Sequence, residues 1–188
     1  MLRIILSFLL ALMLMVAGCG LGESKARDWG KRNFQSQQLK ETHFGQVIHV
    51  ADGDTITIKT DAGKMKIRLF AIDAPEKSQP YGPQSTGILK ALIGGSYVQA
   101  RVMATDRYGR KVATVFCDKQ DINAEMLRLG AAWHFKKYHH PASPLYERYD
   151  DIERSARNNR KGLWNRDNPT PPWEYRKALR EQKMKSMK

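Results

Sequence analysis

The stretch Asp52-Gly53-Asp54-Thr55-Ile56-Thr57-Ile58-Lys59-Thr60-Asp61-Ala62-Gly63-Lys64-Met65-Lys66-Ile67-Arg68-Leu69 holds two β-branched or apolar runs on either side of a turn. Ile56 and Ile58 share one strand face and Ile67 and Leu69 another, so each run has a core side. Asp61-Ala62-Gly63 is a hairpin loop by composition. A hairpin centred near residue 62 or 63 sets Asp54 opposite residues near 70 to 72, which makes Asp73 its neighbour. Both acids then lie at the sheet end away from the turn, where loops are free to build a site.

Two carboxylates at one sheet end repel unless something positive sits between them, and a divalent cation is the simplest choice. Oxygen donors without cysteine or suitably spaced histidine favour Ca²⁺ or Mg²⁺ over zinc. Asp-Gly-Asp alone is ordinary turn chemistry; the hairpin register is what argues for a metal. Arg68 alternates with Ile67 and Leu69 and faces outward. Arg110 follows the turn residues Asp106-Arg107-Tyr108-Gly109 and begins another strand. Two guanidinium groups beside two acids suggest a phosphate clamp, since each bonds phosphate oxygens bidentately and stays charged. Neither arginine can serve as a base. Glu76 is the candidate for activating water, although Pro75-Glu76 reads equally well as a turn.

Outward from this hairpin, Val47–Val50, Tyr97–Met103 and Val112–Phe116 bring the expected strands to five, with Val98, Ala100 and Val102 on one face. Three helices are expected. Pro83 opens the first, whose stripe Ile88, Leu89, Leu92, Ile93 stops at Gly94-Gly95. Asp121 or Asn123 caps the second, which carries Ile122, Met126 and Leu129 and closes at Gly130. Ser143-Pro144 opens the third, with Leu145, Tyr149, Ile152 and Ala156 at helical spacing. Pro169-Thr170-Pro171-Pro172-Trp173 reads as a stiff extended segment before a solvated, frayed basic tail.

A chain of 188 residues, 41% hydrophobic, supports one domain with a real core. The formal net charge of +13 and the pI near 9.9 imply a surface that attracts polyanions or anionic lipid. Met1-Leu2-Arg3 and the apolar run Ile4–Val16 fit a signal peptide, and the run is short for a membrane span. It ends in Val16-Ala17-Gly18-Cys19, which resembles the lipobox of bacterial lipoproteins; ordinary secretion is the alternative. The expected layout is a signal peptide at 1–18, lipidation at Cys19, a flexible tether over 19–42, a folded domain at 43–166 and a tail at 167–188. Cys117 is the other cysteine and is expected as a small buried core residue. His134, His139 and His140 do not share a helical face, which argues against a second metal.

Taken together, these motifs resemble the staphylococcal nuclease family over roughly Phe44 to Trp164. The resemblance implies an α+β fold, a five-stranded OB-fold β-barrel with three helices. It implies that Asp54 and Asp73 are side-chain Ca²⁺ ligands, that Ala74 adds its backbone carbonyl, and that Asp52 supports the metal's water shell. It assigns Arg68 and Arg110 to transition-state stabilisation and Glu76 to the role of general base or water-positioning group. The family position after Asp73 is often threonine and is alanine here, a change that a carbonyl ligand tolerates. The implied reaction is hydrolysis of DNA and RNA with little sequence preference, leaving 3′-phosphate ends. Tyr108 or Tyr138 is offered as a base-stacking residue, with a core or rim position as the alternative. A monomer is expected. The competing classes are a non-catalytic OB-fold module that binds nucleic acid, and an envelope lipoprotein whose basic face binds anionic polymers.

Overall fold

A computed structural model describes residues 41–137 and 143–187, all within one compact unit. Strands β1 (Thr42–Asp52), β2 (Thr55–Thr60) and β3 (Gly63–Leu69) form an antiparallel meander, and β4 (Ile72–Asp73) follows after a bend. Helix α1 (Gly82–Ile93) leads to β5 (Tyr97–Thr105) and β6 (Lys111–Cys117). The two-residue β7 (Gln120–Asp121) and helix α2 (Ile122–Arg128) come next. Then follow β8 (Trp133–His134), α3 (Pro144–Asn158), a 3₁₀ turn at Gly162–Asn165 and α4 (Pro172–Ser186).

β1 pairs with β5, β5 with β6, and β6 runs parallel to β3, with Ile67, Arg68 and Leu69 facing Lys111, Val112 and Ala113. That parallel contact closes five strands into a mixed barrel. Register shifts in β1 near His49 and Ala51, and between Val102 and Ala104 of β5, supply the curvature that closure needs. The alternation seen in the sequence holds: Ile56, Ile58, Ile67, Leu69, Val98, Ala100, Ala113 and Val115 are all buried inside.

Helices seal the barrel with apolar stripes. Leu89 and Ile93 of α1, Met126 and Leu127 of α2 and Tyr149 of α3 join the same core. Fully burying a side chain of this size stabilises by roughly 1.5–3 kcal/mol. Asp121 is the α2 cap, its carboxylate accepting from Ala124 N at 3.0 Å. The same carboxylate accepts from the buried Tyr149 hydroxyl at 3.0 Å, which ties α3 to the α2 N-terminus. A second cluster of Trp133, Ala156, Leu163 and Trp164 lies under the 3₁₀ turn.

Four expectations need correction. There are four helices rather than three: the segment read as a frayed tail folds as α4, with Pro172 at a first-turn position. Proline there is pre-set for helix and forfeits no internal hydrogen bond, so Pro171-Pro172 marked a start rather than an extended spacer. The β2–β3 connection is the two-residue turn Asp61-Ala62, since Thr60 already faces Gly63. Asp54 therefore sits across from Leu69, whose N–H donates to the Asp54 carbonyl at 2.8 Å. The third strand, expected over Met65–Ile72, runs over Gly63–Leu69 and ends there because Phe70-Ala71 bends the chain with Ala71 at φ 58°. Cys117 is half-buried at the end of β6 rather than enclosed.

Candidate active site

The Phe70-Ala71 bend, more than the strand register, brings the two central acids together. It turns β4 back across the open end of β2, so that Ala74 N–H donates to Asp54 Oδ2 at 2.9 Å. Asn123 fixes this bend from below. Its amide Nδ2 donates to the carbonyls of Phe70 (2.9 Å) and Ala113 (3.2 Å), while its Oδ1 accepts from Val115 N at 3.0 Å. β4 then pairs with β8, and Phe135 N–H donates to the Ala71 carbonyl at 2.9 Å.

The Asp52-Gly53-Asp54 turn approaches α1 closely. A Cβ on Gly53 would overlap the Ser85 hydroxyl and the Ala74 methyl, so only glycine fits there. Asp52 Oδ1 accepts from Asp54 N–H at 3.1 Å, shaping the turn, and its charge adds to the burial that opposes ionisation of Asp54.

Arg68 lies between the two buried acids. One guanidinium nitrogen is 2.6 Å from Asp54 Oδ1 and the other 2.7 Å from Asp73 Oδ1. Asp54 and Asp73 are 3% and 0% exposed, so this bridge operates where water screens poorly. Burial pushes the Asp54 carboxyl above its ordinary value, against the pull of Arg68 and the hydrogen bonds from Ala74 and Thr55. Burial likewise opposes the charge on Arg68, yet Asp54 and Asp73 outweigh it and hold the guanidinium above its ordinary value.

Glu76 joins the cluster through a residue that was not expected to take part. Arg176 of α4 places one nitrogen 2.7 Å from Asp73 Oδ2 and the other 2.7 Å from Glu76 Oε1. Read from the sequence alone, Arg176 was one cation among many in a basic tail. A proline pair that suits a helix start and the aromatic residues Trp173 and Tyr175 are the signals by which that segment could have been read as folded.

Arg110 does not contact these acids. Its Nε is 2.7 Å from Asp106 Oδ2 within the β5–β6 hairpin, and its guanidinium sits 5.6 Å from the Tyr108 ring centre. Burial opposes ionisation of Asp106, but hydrogen bonds from Arg110 and Tyr108 hold its carboxyl below its ordinary value. Tyr108 is 69% exposed, a rim position rather than a core one. His134 is buried, with Nδ1 2.7 Å from Asp150 Oδ1. Among the described residues no group of three or more histidine, cysteine or carboxylate side chains is gathered as a metal centre, so the central acids are held by arginines rather than arranged around an ion. Tyr138, His139, His140 and Cys19 lie outside the described residues.

A closed mixed barrel carrying paired, arginine-bridged carboxylates at one end agrees with the family comparison. The family described as staphylococcal nuclease homologue matches residues 66–166. The chain belongs to that family. An uncharacterized endonuclease of Escherichia coli O157:H7 is 40% identical over 134 residues, covering 70% of this chain and 84% of the relative. An uncharacterized endonuclease of Haemophilus influenzae is 38% identical over 139 residues, 73% of this chain and 75% of the relative. A probable staphylococcal-like nuclease of Oryza sativa subsp. japonica is 36% identical over 156 residues, 83% of this chain and 39% of the relative. As a member of this nuclease family the chain is a phosphodiester hydrolase acting on nucleic acid.

Proposed function

We propose that this nuclease is Ca²⁺-dependent and cleaves both DNA and RNA with little sequence preference, leaving 3′-phosphate ends. The observation that carries the reading is the buried Asp54–Arg68–Asp73 bridge, which sets two carboxylates and one guanidinium around one point. The donor set fits a hard cation, because carboxylate oxygens from Asp54 and Asp73 and the Ala74 carbonyl are all oxygen ligands. Asp52 would support the bound water. Such an ion polarises the phosphoryl group and lowers the cost of the charge that builds during attack.

The chain's own residues supply the rest. Arg68, whose side chain is 21% exposed, keeps N–H groups beyond its two carboxylate bonds with which to meet a phosphate oxygen. Arg110, on the neighbouring hairpin, brings a second positive charge once substrate draws it from Asp106. Glu76 is 39% exposed at the side-chain level, so water reaches it, and it accepts or positions a proton from the attacking water. Low sequence preference follows where phosphates provide most contacts and an exposed ring such as Tyr108 stacks on any base.

The protein is further read as a monomer, lipidated at Cys19 and tethered by the chain ahead of β1 in the bacterial cell envelope, at the outer membrane if the host is Gram-negative. The lipobox-like ending of the apolar run supports this placement. The test is digestion of plasmid and of RNA by the full-length chain, with Ca²⁺ and with excess chelator. Turnover that survives the chelator removes the calcium assignment. Release of a Cys19→Ala variant from the membrane fraction supports the anchor, and unchanged fractionation removes it.

A further inference from the structure

Helix α4 is held to the domain by its first turns. Gln79 Nε2 donates to the Thr170 carbonyl at 2.6 Å, and the Tyr175 hydroxyl lies 3.1 Å from both Ser78 oxygens. The Trp173 ring meets Phe135 at 5.8 Å between centres. Within the helix itself Pro172 is the buried residue, and from Lys177 onward the side chains are exposed. This lightly attached element nevertheless sends Arg176 into the acidic cluster, with bonds to both oxygens of Asp73 and to Glu76.

Asp73 Oδ1 accepts from Arg68 and from Arg176, and Oδ2 accepts from Arg176. The Asp73 oxygen that Arg68 leaves open is therefore taken by the helix. The two guanidinium groups touch the carboxylates of Asp54, Asp73 and Glu76, and Arg176 occupies both Asp73 oxygens, the atoms an incoming cation would need. Like charges a few ångströms apart in a partly buried site repel strongly, so ion and guanidinium compete for Asp73.

We propose that α4 is a built-in cation latch: Arg176 fills the metal-binding side of Asp73 and holds Glu76, and Ca²⁺ displaces it to open the site. This rests on the calcium reading above. While the latch is closed the metal meets only the open fraction of molecules, so its apparent affinity falls by that fraction. A helix attached by few contacts suits the purpose, since little else must break when Arg176 leaves.

The test is a calorimetric Ca²⁺ titration of the full-length chain and of Arg176→Gln, Arg180→Gln and Asp73→Asn variants. Arg180→Gln makes the same charge change one turn along α4, away from the carboxylates. The latch predicts that Arg176→Gln tightens Ca²⁺ binding at least about tenfold, while Arg180→Gln stays within about twofold of the parent. It also predicts, without any substitution, that saturating Ca²⁺ speeds amide exchange along Trp173–Arg180. Calcium affinity unchanged by Arg176→Gln, or exchange in α4 unmoved by Ca²⁺, overturns the latch and leaves the metal site standing. No calcium binding by the parent, with Asp73→Asn indistinguishable from it, removes the calcium reading itself and the latch with it.

Discussion

Asn123 and Phe70 are joined by a partly buried hydrogen bond of 2.9 Å, from the side-chain amide of one to the backbone carbonyl of the other, across fifty-three residues of chain. The same side chain also bonds Val115 and Ala113, so one amide holds α2, β6 and the bend that delivers Asp73. Asn123→Ala leaves the buried Val115 N–H and the partly buried Phe70 carbonyl without this partner, at about 1–3 kcal/mol for each group that water cannot reach, while the Ala113 carbonyl keeps the Phe70 N–H. A loss of roughly 2–4 kcal/mol is expected from urea denaturation, with activity falling even well below the melting temperature.

Arg68 spans two acids because a planar guanidinium offers two separate edges, which a lysine ammonium does not. Arg68→Lys should lower kcat by about 10²–10³-fold, the usual cost of losing one aimed donor. In the absence of metal the variant should also be less stable than the parent, since one buried carboxylate loses its partner. Adding Ca²⁺ should recover part of that stability by binding the folded state alone. Thermal melts with and without Ca²⁺ check this, and a variant that melts like the parent under both conditions contradicts the bridge.

Arg110 sits in a hairpin with a partly exposed ion pair, and such pairs contribute about 0–1 kcal/mol. Arg110→Ala should therefore leave the denaturation midpoint nearly unchanged while turnover drops by orders of magnitude. A variant that loses stability and activity in parallel would mark Arg110 as structural.

Gly53 is the point where the acidic turn touches α1. Gly53→Ala forces apart the turn, Ser85 and Ala74, and overpacking of this kind costs typically 1–3 kcal/mol. Activity should fall further than stability, because the displaced turn carries Asp54. Comparison of kcat at full saturation with the urea midpoint separates the two effects.

His134 gives the fold a pH dependence of known sign. Burial holds its imidazole below the ordinary value, with the hydrogen bond and charge of Asp150 only partly offsetting this; Lys136 lowers it further and Glu153 raises it. The folded state thus resists protonation more than the unfolded chain does. Its contribution to stability is complete above about pH 6.5 and is lost as pH falls from there through the lower folded value. A His134→Phe variant should lack that component of the decline between pH 7 and pH 5 in paired denaturation curves. Parallel curves for both proteins would show that His134 does not supply it.

The barrel strands were legible because each carries an apolar alternation that survives any choice of neighbour, as with Ile56 and Ile58 or Val98 and Ala100. Asp54 and Asp73 were legible as neighbours, although for an incomplete reason. The expected register was too long, and the Ala71 bend supplied the proximity that pairing alone did not. Asn123 was read as a possible cap because local sequence shows only local partners, and its three bonds run to chain segments far away. Arg176 was hidden for the same reason. A cation in a basic helix has no sequence mark that distinguishes it until the fold sets it against Asp73 and Glu76. The two prolines were read only as an extended segment, and the tertiary contacts of Gln79 and Tyr175 that hold the helix instead are not visible in local sequence.

The parallel contact between β3 and β6 has an implication for the newborn chain. Until residue 117 has been made, β3 presents an unpaired edge, and such edges recruit strands from other molecules. Its outward positions are Lys64, Lys66 and Arg68, so the half-built meander repels its own copies through three clustered positive charges. The guanidinium that later bridges Asp54 and Asp73 is thus one of the charges that oppose pairing between half-built meanders.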